Sequence, residues 1–224
     1  MIRVTNSAAV LRDPEFVDAA ANNLADSLRG YYASLVPEAT APVSTVPPSV
    51  PPVQAEVLLA LRWGENGEEL ARLLEDRGER AMFLFTVGEL RERDDGLRRL
   101  IAAGHTVGLA LTGEDGPACA AQLEEGRRLL GSIARYYALV ASAGALDGEG
   151  WEALRREGCA VWLTDIRGED YRSGAALVEA LHPRSVSGVE LECGAGSAAF
   201  LRSVLNAMDG ENCTLRQPTA PLLS

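Results

Sequence analysis

From residue 55 onward, short apolar runs alternate with amphipathic stretches of helical period. The apolar runs are Val57–Leu61, Ala81–Phe85, Val107–Leu111, Tyr136–Val140, Ala160–Ile166, Val189–Cys193 and Thr214–Gln217. Between them, helical spacing is predicted over residues 66–77, 90–103, 117–131, 148–157, 173–181 and 196–208. A strand buried on both faces reads as a continuous apolar run, and a parallel neighbour needs a crossover of about a dozen residues. Seven β units with helices between them therefore predict a parallel α/β fold, either an open doubly wound sheet or a barrel. Periodicity does not choose between the two.

Upstream the texture differs. Asp13 can cap a helix, Pro14 suits its first position, and Phe16, Ala19, Ala20, Leu24, Leu28 and Tyr31 recur at helical spacing, so residues 13–35 read as a helix. Residues 37–54 are rich in Pro, Val, Thr and Ser, with Pro47-Pro48 and Pro51-Pro52, and read as a semi-rigid extended linker. The expected organisation is a helical segment over 1–36, a linker over 37–54 and the α/β domain over 55–224.

Composition removes several function classes. The formal net charge is −11 and every basic residue is Arg, since the chain has no Lys. Such a surface argues against nucleic acid as a partner, because binding it rests on neutralising phosphates. A lysine Schiff base is excluded. The four cysteines (Cys119, Cys159, Cys193, Cys213) have no C-x-x-C spacing, which speaks against a structural zinc site. No run of about 18 apolar residues occurs, so no transmembrane segment is expected, and the N-terminus lacks the pattern of a signal peptide. The histidines are His105 and His182 alone.

Parallel α/β folds place their sites at the C-terminal ends of the strands. Arg62, Trp63 and Gly64 follow the first predicted strand, Thr86 to Gly88 the second, and Thr112 to Glu114 the third. Ala141 and Ser142 follow the fourth, Thr164 and Asp165 close the fifth, and Glu192 and Cys193 close the sixth.

Several of these stretches carry a resemblance. Val57 to Gly64 (V-L-L-A-L-R-W-G) and Ala81 to Gly88 (A-M-F-L-F-T-V-G) are similar to the T-F-D-D-G strand and the A-T-F-F-V-x-G strand of the polysaccharide deacetylases, a carbohydrate esterase family with NodB homology. Leu97 to Gly108 (L-R-R-L-I-A-A-G-H-T-V-G) resembles that family's L-x-x-x-I-x-x-G-H-E-I-G, and Gly158 to Asp165 followed by Asp170-Tyr171 resembles its G-Y-x-V-V-x-W-D…D-W. The resemblance covers about 160 residues in the right order. It implies a distorted (β/α)7 barrel of the glycoside hydrolase/deacetylase type, preceded here by the N-terminal helix and Pro-rich linker.

The same resemblance marks what is missing. The family holds a metal, usually zinc, on the second Asp of T-F-D-D and both histidines of H-x-x-x-H. Those positions fall on Trp63, Ala110 and Glu114. The first Asp, the family's base, falls on Arg62; the Arg of R-x-P-x-G falls on Val140, and the late catalytic His falls near Glu192 or Cys193. Metal-assisted hydrolysis needs nitrogen or oxygen ligands in a fixed polyhedron with one position open. Trp and Ala supply none, so we expect no zinc, no catalytic residue and a pseudoenzyme.

A residual site remains conceivable from Arg62, Trp63, Glu114, Ser142, Asp165 and Glu192. The acids Glu114, Asp165 and Glu192 either converge on an oxygen-loving cation or, as we expect, pair with Arg62 or face water. In that expectation Arg62 puts its own cation where the metal would stand and pairs with Glu114 or Asp165. Trp63 is expected to plug the vacant metal pocket; otherwise it stacks on a sugar ring at the mouth. His105 reads as structural, on the face opposite the site, and His182 as a surface residue. Cys193 lacks a His partner and reads as a buried thiol, as does Cys213. Asp147 and the loop Glu192-Cys193-Gly194-Ala195-Gly196 read as helix starts.

The resemblance implies a setting at the bacterial cell envelope or another extracytoplasmic site. It implies a glycan, a cell-wall component or another envelope protein as partner. The leading reading is a non-catalytic deacetylase-like binding or scaffolding module. The alternatives are a hydrolase of altered chemistry using Asp165, Glu114 or Glu192, and a structural or regulatory partner that binds no sugar.

Overall fold

In the computed structural model the described residues are 55–218, except 93, 145, 147, 183 and 184. The helix expected over 13–35, the linker over 37–54 and the cap expected at Asp147 lie outside them. None of the described helices is long and apolar enough to cross a membrane.

The described strands are β1 (Ala55–Arg62), β2 (Met82–Phe85), β3 (Thr106–Leu111), β4 (Val140–Ala143), β5 (Ala160–Val161), β6 (Ile166–Arg167), β7 (Val186–Glu192) and β8 (Cys213–Arg216). The helices are α1 (Gly67–Asp76), α2 (Val87–Glu92), α3 (Asp94–Ala102), α4 (Gly116–Ala134), α5 (Gly148–Arg156), α6 (Gly174–Leu181) and α7 (Ser197–Gly210). Local chemistry sets several of their boundaries. Asp115 starts α4 by accepting from the Ala118 amide at 2.8 Å, and Ser173 does the same for Ala176 at the start of α6. Thr86 and Glu89 form a reciprocal box at α2, the carboxylate accepting from the Thr86 amide at 2.8 Å.

All pairings are parallel, and the sheet runs β5-β4-β3-β2-β1-β7-β6. β7 pairs with β1 from Glu56 to Arg62, leaving the other edge of β1 to two strands in succession. β8 takes Ala55 to Leu58 of that edge, and β2 takes Ala60 to Arg62.

The two edges of the sheet are joined by one stretch of chain. The expected strand Ala160–Ile166 divides: β5 pairs with β4, and β6, four residues further on, pairs with β7. In the crossing, the Trp162 amide donates to Ala141 O at 2.8 Å and the Asp165 amide to Gly188 O at 2.9 Å. A glycine is required at 188, because a Cβ there would stand 2.6 Å from the Leu163 carbonyl oxygen. The architecture is thus a curled parallel sheet closing toward a distorted (β/α)7 barrel.

Two further expectations are corrected. Strand four begins at Val140 and not at Tyr136, because residues 136–139 are spent on the connection. Arg135, at φ 52°, ends α4 in the left-handed region. The Tyr136 hydroxyl then accepts from the Val107 amide at 3.1 Å, and Arg127 lies over the Tyr137 ring at 4.4 Å. The single helix expected over 90–103 is two, α2 and α3.

Strand alternation sorts side chains to two faces. Outward, Leu59, Leu61, Phe83, Phe85, Leu109 and Leu191 pack under the helices with Leu70, Leu74, Leu123 and Leu201. Inward, Leu58, Ala60, Met82, Leu84, Ala110, Val140 and Trp162 form a second, smaller cluster.

Candidate functional site

At the C-terminal end of β1, Arg62 points into the barrel. Its Nε and Nη2 both donate to Glu190 Oε1, at 3.1 and 2.8 Å. Glu190 lies on β7 in register with Ala60, and it is the one buried carboxylate among the described residues. Its second oxygen, Oε2, accepts from the Thr164 hydroxyl at 2.7 Å, and Thr164 Oγ1 accepts from Trp162 Nε1 at 3.1 Å. Four residues therefore form one polar chain, running from β1 through β7 to the segment that joins the sheet edges. The Arg62 side chain is 33% exposed and that of Glu190 10%, so the pair lies at the boundary between interior and solvent. Paired burial of this kind is sustained only when the remaining lone pairs are also bonded, as Thr164 does here.

Arg62 does make the expected internal ion pair, but with Glu190 in place of Glu114 or Asp165. Glu114 is exposed in the turn after β3. Asp165 accepts from the Gly188 amide at 2.8 Å, and Gly188 lies in register with Leu58, well below the end of β7. Its carboxylate thereby fastens the crossing segment. Glu192 is exposed at the end of β7, in register with Arg62. The three acids expected beyond strand ends thus stand at different heights and do not converge.

Trp63 is the clearest correction. One residue after Arg62, strand alternation turns it outward, where it is 5% exposed. Its ring stacks on Phe85 with centroids 4.7 Å apart and meets Phe83 edge-on at 5.8 Å. It also covers the start of α1, where a Cβ on Gly67 would stand 2.6 Å from the indole. It neither plugs the barrel interior nor offers a face to a sugar at the mouth. Ala110 and Val140 line the interior as apolar residues, and Ser142, in register with Ala110, is buried beside them.

The remaining nucleophile and base candidates lie elsewhere. Burial, and then Glu89 and Glu192, push the Cys193 thiol up to about 12, so it stays protonated and unreactive. His105 is buried before β3, at the N-terminal side of the strands, where Nδ1 accepts from the Ala81 amide at 3.3 Å. His182 is half-exposed and pairs with Glu211 at 3.3 Å. Gly196, at φ 80°, begins α7, the helix-start reading of that loop.

Glu190 is the residue that sequence reasoning missed. It sits within the run Val189–Cys193, read there as uniformly apolar. The available signal was its parity: Gly188, Glu190 and Glu192 share the inward face, so a carboxylate between Val189 and Leu191 had to enter the barrel and find a cation.

The donor set does not fit a zinc ion. At the positions where the resemblance implies ligands stand an outward-facing indole, a methyl group and an exposed carboxylate. Among the described residues no three His, Cys, Asp or Glu side chains come together as ligands would.

No protein-family model matches the sequence, and no curated protein matches it. Solved structures do match in fold. The wild-type BA3943 protein from Bacillus anthracis, a pseudoenzyme of carbohydrate esterase family 4, superposes with a TM-score of 0.65 at 12% identity, over 77% of this chain and 66% of its own. The polysaccharide deacetylase Bc1974 from Bacillus cereus gives 0.63 at 15% identity, over 75% of this chain and 93% of its own. A family 4 carbohydrate esterase from Streptomyces lividans gives 0.65 at 13% identity, over 76% and 96%. The fold is that of the family 4 carbohydrate esterases. This chain spans about two thirds of the pseudoenzyme's length. Deacetylases and a pseudoenzyme thus share the scaffold on which the Arg62–Glu190 pair sits.

Proposed function

We propose that the chain is a non-catalytic polysaccharide-deacetylase-like module that binds or scaffolds glycan at the cell envelope, without a zinc cofactor. The observation that carries the reading is the fate of Arg62 and Trp63. The guanidinium at the position of the family's base is spent on Glu190, and the position of the metal carboxylate is an indole built into the outer core. A deacetylase needs a base with a free lone pair and a polarising metal within reach of one acetyl group. The mouth of this barrel presents a neutralised ion pair, with Thr164 already bonded on both sides. The glycan and the envelope setting follow by likeness to proteins of this fold.

The test combines two assays on the purified chain. Acetate release from acetylated chitooligosaccharides and peptidoglycan fragments, with zinc supplied, is expected to stay at the uncatalysed level. Calorimetric titration with the same glycans is expected to show binding at micromolar to millimolar concentration. Zinc-dependent acetate release would overturn the inactive reading. Absence of binding at millimolar glycan would leave a structural or regulatory partner that binds no sugar.

A further inference from the structure

Every oxygen of the buried carboxylate in the barrel is accounted for. Glu190 Oε1 receives two N–H groups of Arg62, and Oε2 receives the Thr164 hydroxyl. We propose that Arg62 is a built-in cation: it occupies the oxygen ligands a divalent ion would take, bars such an ion from the interior, and through Glu190 and Thr164 fastens the segment that closes the barrel.

Hard divalent cations are held by carboxylate and hydroxyl oxygens. The inward positions of β7 and the crossing segment supply two such groups, the Glu190 carboxylate and the Thr164 hydroxyl, 2.7 Å apart. What keeps the set from being a cation site is the guanidinium already in it. Arg stays charged across the accessible pH range, so base does not remove the cation from the set. An entering ion would have to displace two charge-assisted hydrogen bonds and strand Arg62 beside a second positive charge. The fastening follows from the same atoms. Trp162 and Thr164 both belong to the four-residue crossing between β5 and β6, and Thr164 is tied to β7 through Glu190.

Thermal unfolding of the full chain is compared with and without Ca²⁺ or Mn²⁺ at about 10 mM, a range suited to weak oxygen sites. Wild type is expected to show no shift. R62Q, a neutral replacement of similar reach, is expected to gain about 3 °C when the ion is at ten times its Kd, and R62Q/E190Q to lose that gain. R62K keeps a cation and is expected to bar the ion as wild type does. In parallel, amide exchange over residues 160–167 is expected to quicken about tenfold in E190Q while α4 is unchanged. Ion stabilisation of wild type or R62K, no gain in R62Q, or a gain that survives E190Q would overturn the exclusion. Unaltered exchange over 160–167 in E190Q would overturn the fastening. Where R62Q fails to fold, ion stabilisation of wild type or R62K still overturns the exclusion.

Discussion

The two faces of the sheet are built from the same strands and do opposite things. Arg62 and Trp63 are neighbours in sequence, yet one enters the barrel and the other enters the layer beneath the helices. The outer face is broad, and at it Trp63 meets both Phe83 and Phe85. The inner face is small, and at its open end the apolar lining gives way to the chain Arg62, Glu190, Thr164, Trp162. The difference teaches that the outer face makes this fold and the inner face decides what it can do. The resemblance implies acids at both 62 and 63 in an esterase of this fold, whereas here the side chain at 63 belongs to the outer face.

The sharpest way to break that division is at Trp63. Trp63→Ala empties a buried indole site between Phe85 and α1, and large-to-small changes of this size cost about 3–5 kcal/mol. The melting temperature should fall by about 10 °C. Trp63→Asp should be worse, since it adds an unpaired carboxylate to an apolar layer. If either variant melts within a degree or two of wild type, the indole is not integral to the outer core.

A smaller effect is expected where the two faces meet at the crossing. Gly188→Ala sets a Cβ against the Leu163 carbonyl at 2.6 Å, a backbone atom that cannot swing aside. Overpacking of this kind costs about 1–3 kcal/mol. The loss should be accompanied by faster amide exchange in the crossing segment. Stability measured by urea unfolding would remain at the wild-type value only if the crossing could move off β7 freely.

Much of the scaffold was legible because outer-face burial repeats along the chain. The runs at Val57, Ala81, Val107 and Val189 all proved to be strands, displaced by no more than three residues at either end. Two readings failed where apolar residues serve something other than a ladder. Tyr136 and Tyr137 hold a connection through a hydroxyl and a cation–π contact, which no periodicity encodes. Ala160 to Ile166 looks like one strand because both halves are strands, and only the three-dimensional gap between sheet edges divides them. At the site, the cation at Arg62 and its need for an internal partner could be read from its position. The partner could not be read from strand-end position alone: Glu190 is set by inward parity and by the register of β7 against β1. Its place in a motif sets Trp63 in the vacant metal pocket, whereas alternation from Arg62 points it outward.

The mildest test separates the faces by acid. His105 is the buried histidine on the outer side, edge-on to Phe83 at 5.0 Å, with Nδ1 accepting from Ala81 and Nε2 3.9 Å from the nearest oxygen of Glu75. Burial lowers its pKa below the usual 6.5, the Arg80 cation adds to the shift, and the Glu75 carboxylate opposes it. Protonation at Nδ1 would also break the bond from the Ala81 amide. The unfolded chain therefore takes up this proton first as pH falls. Its contribution is complete above 6.5 and declines as acid enters the range below that value. Glu125 is a separate matter: Arg128 and then Arg91 offset its partial desolvation and hold it at about 2, so its loss begins only below its ordinary 4.5. Urea unfolding between about pH 7.5 and 5.5 thus reads His105 without Glu125. Wild type should weaken across that interval and His105→Gln should weaken less. Equal slopes would assign the loss to other groups.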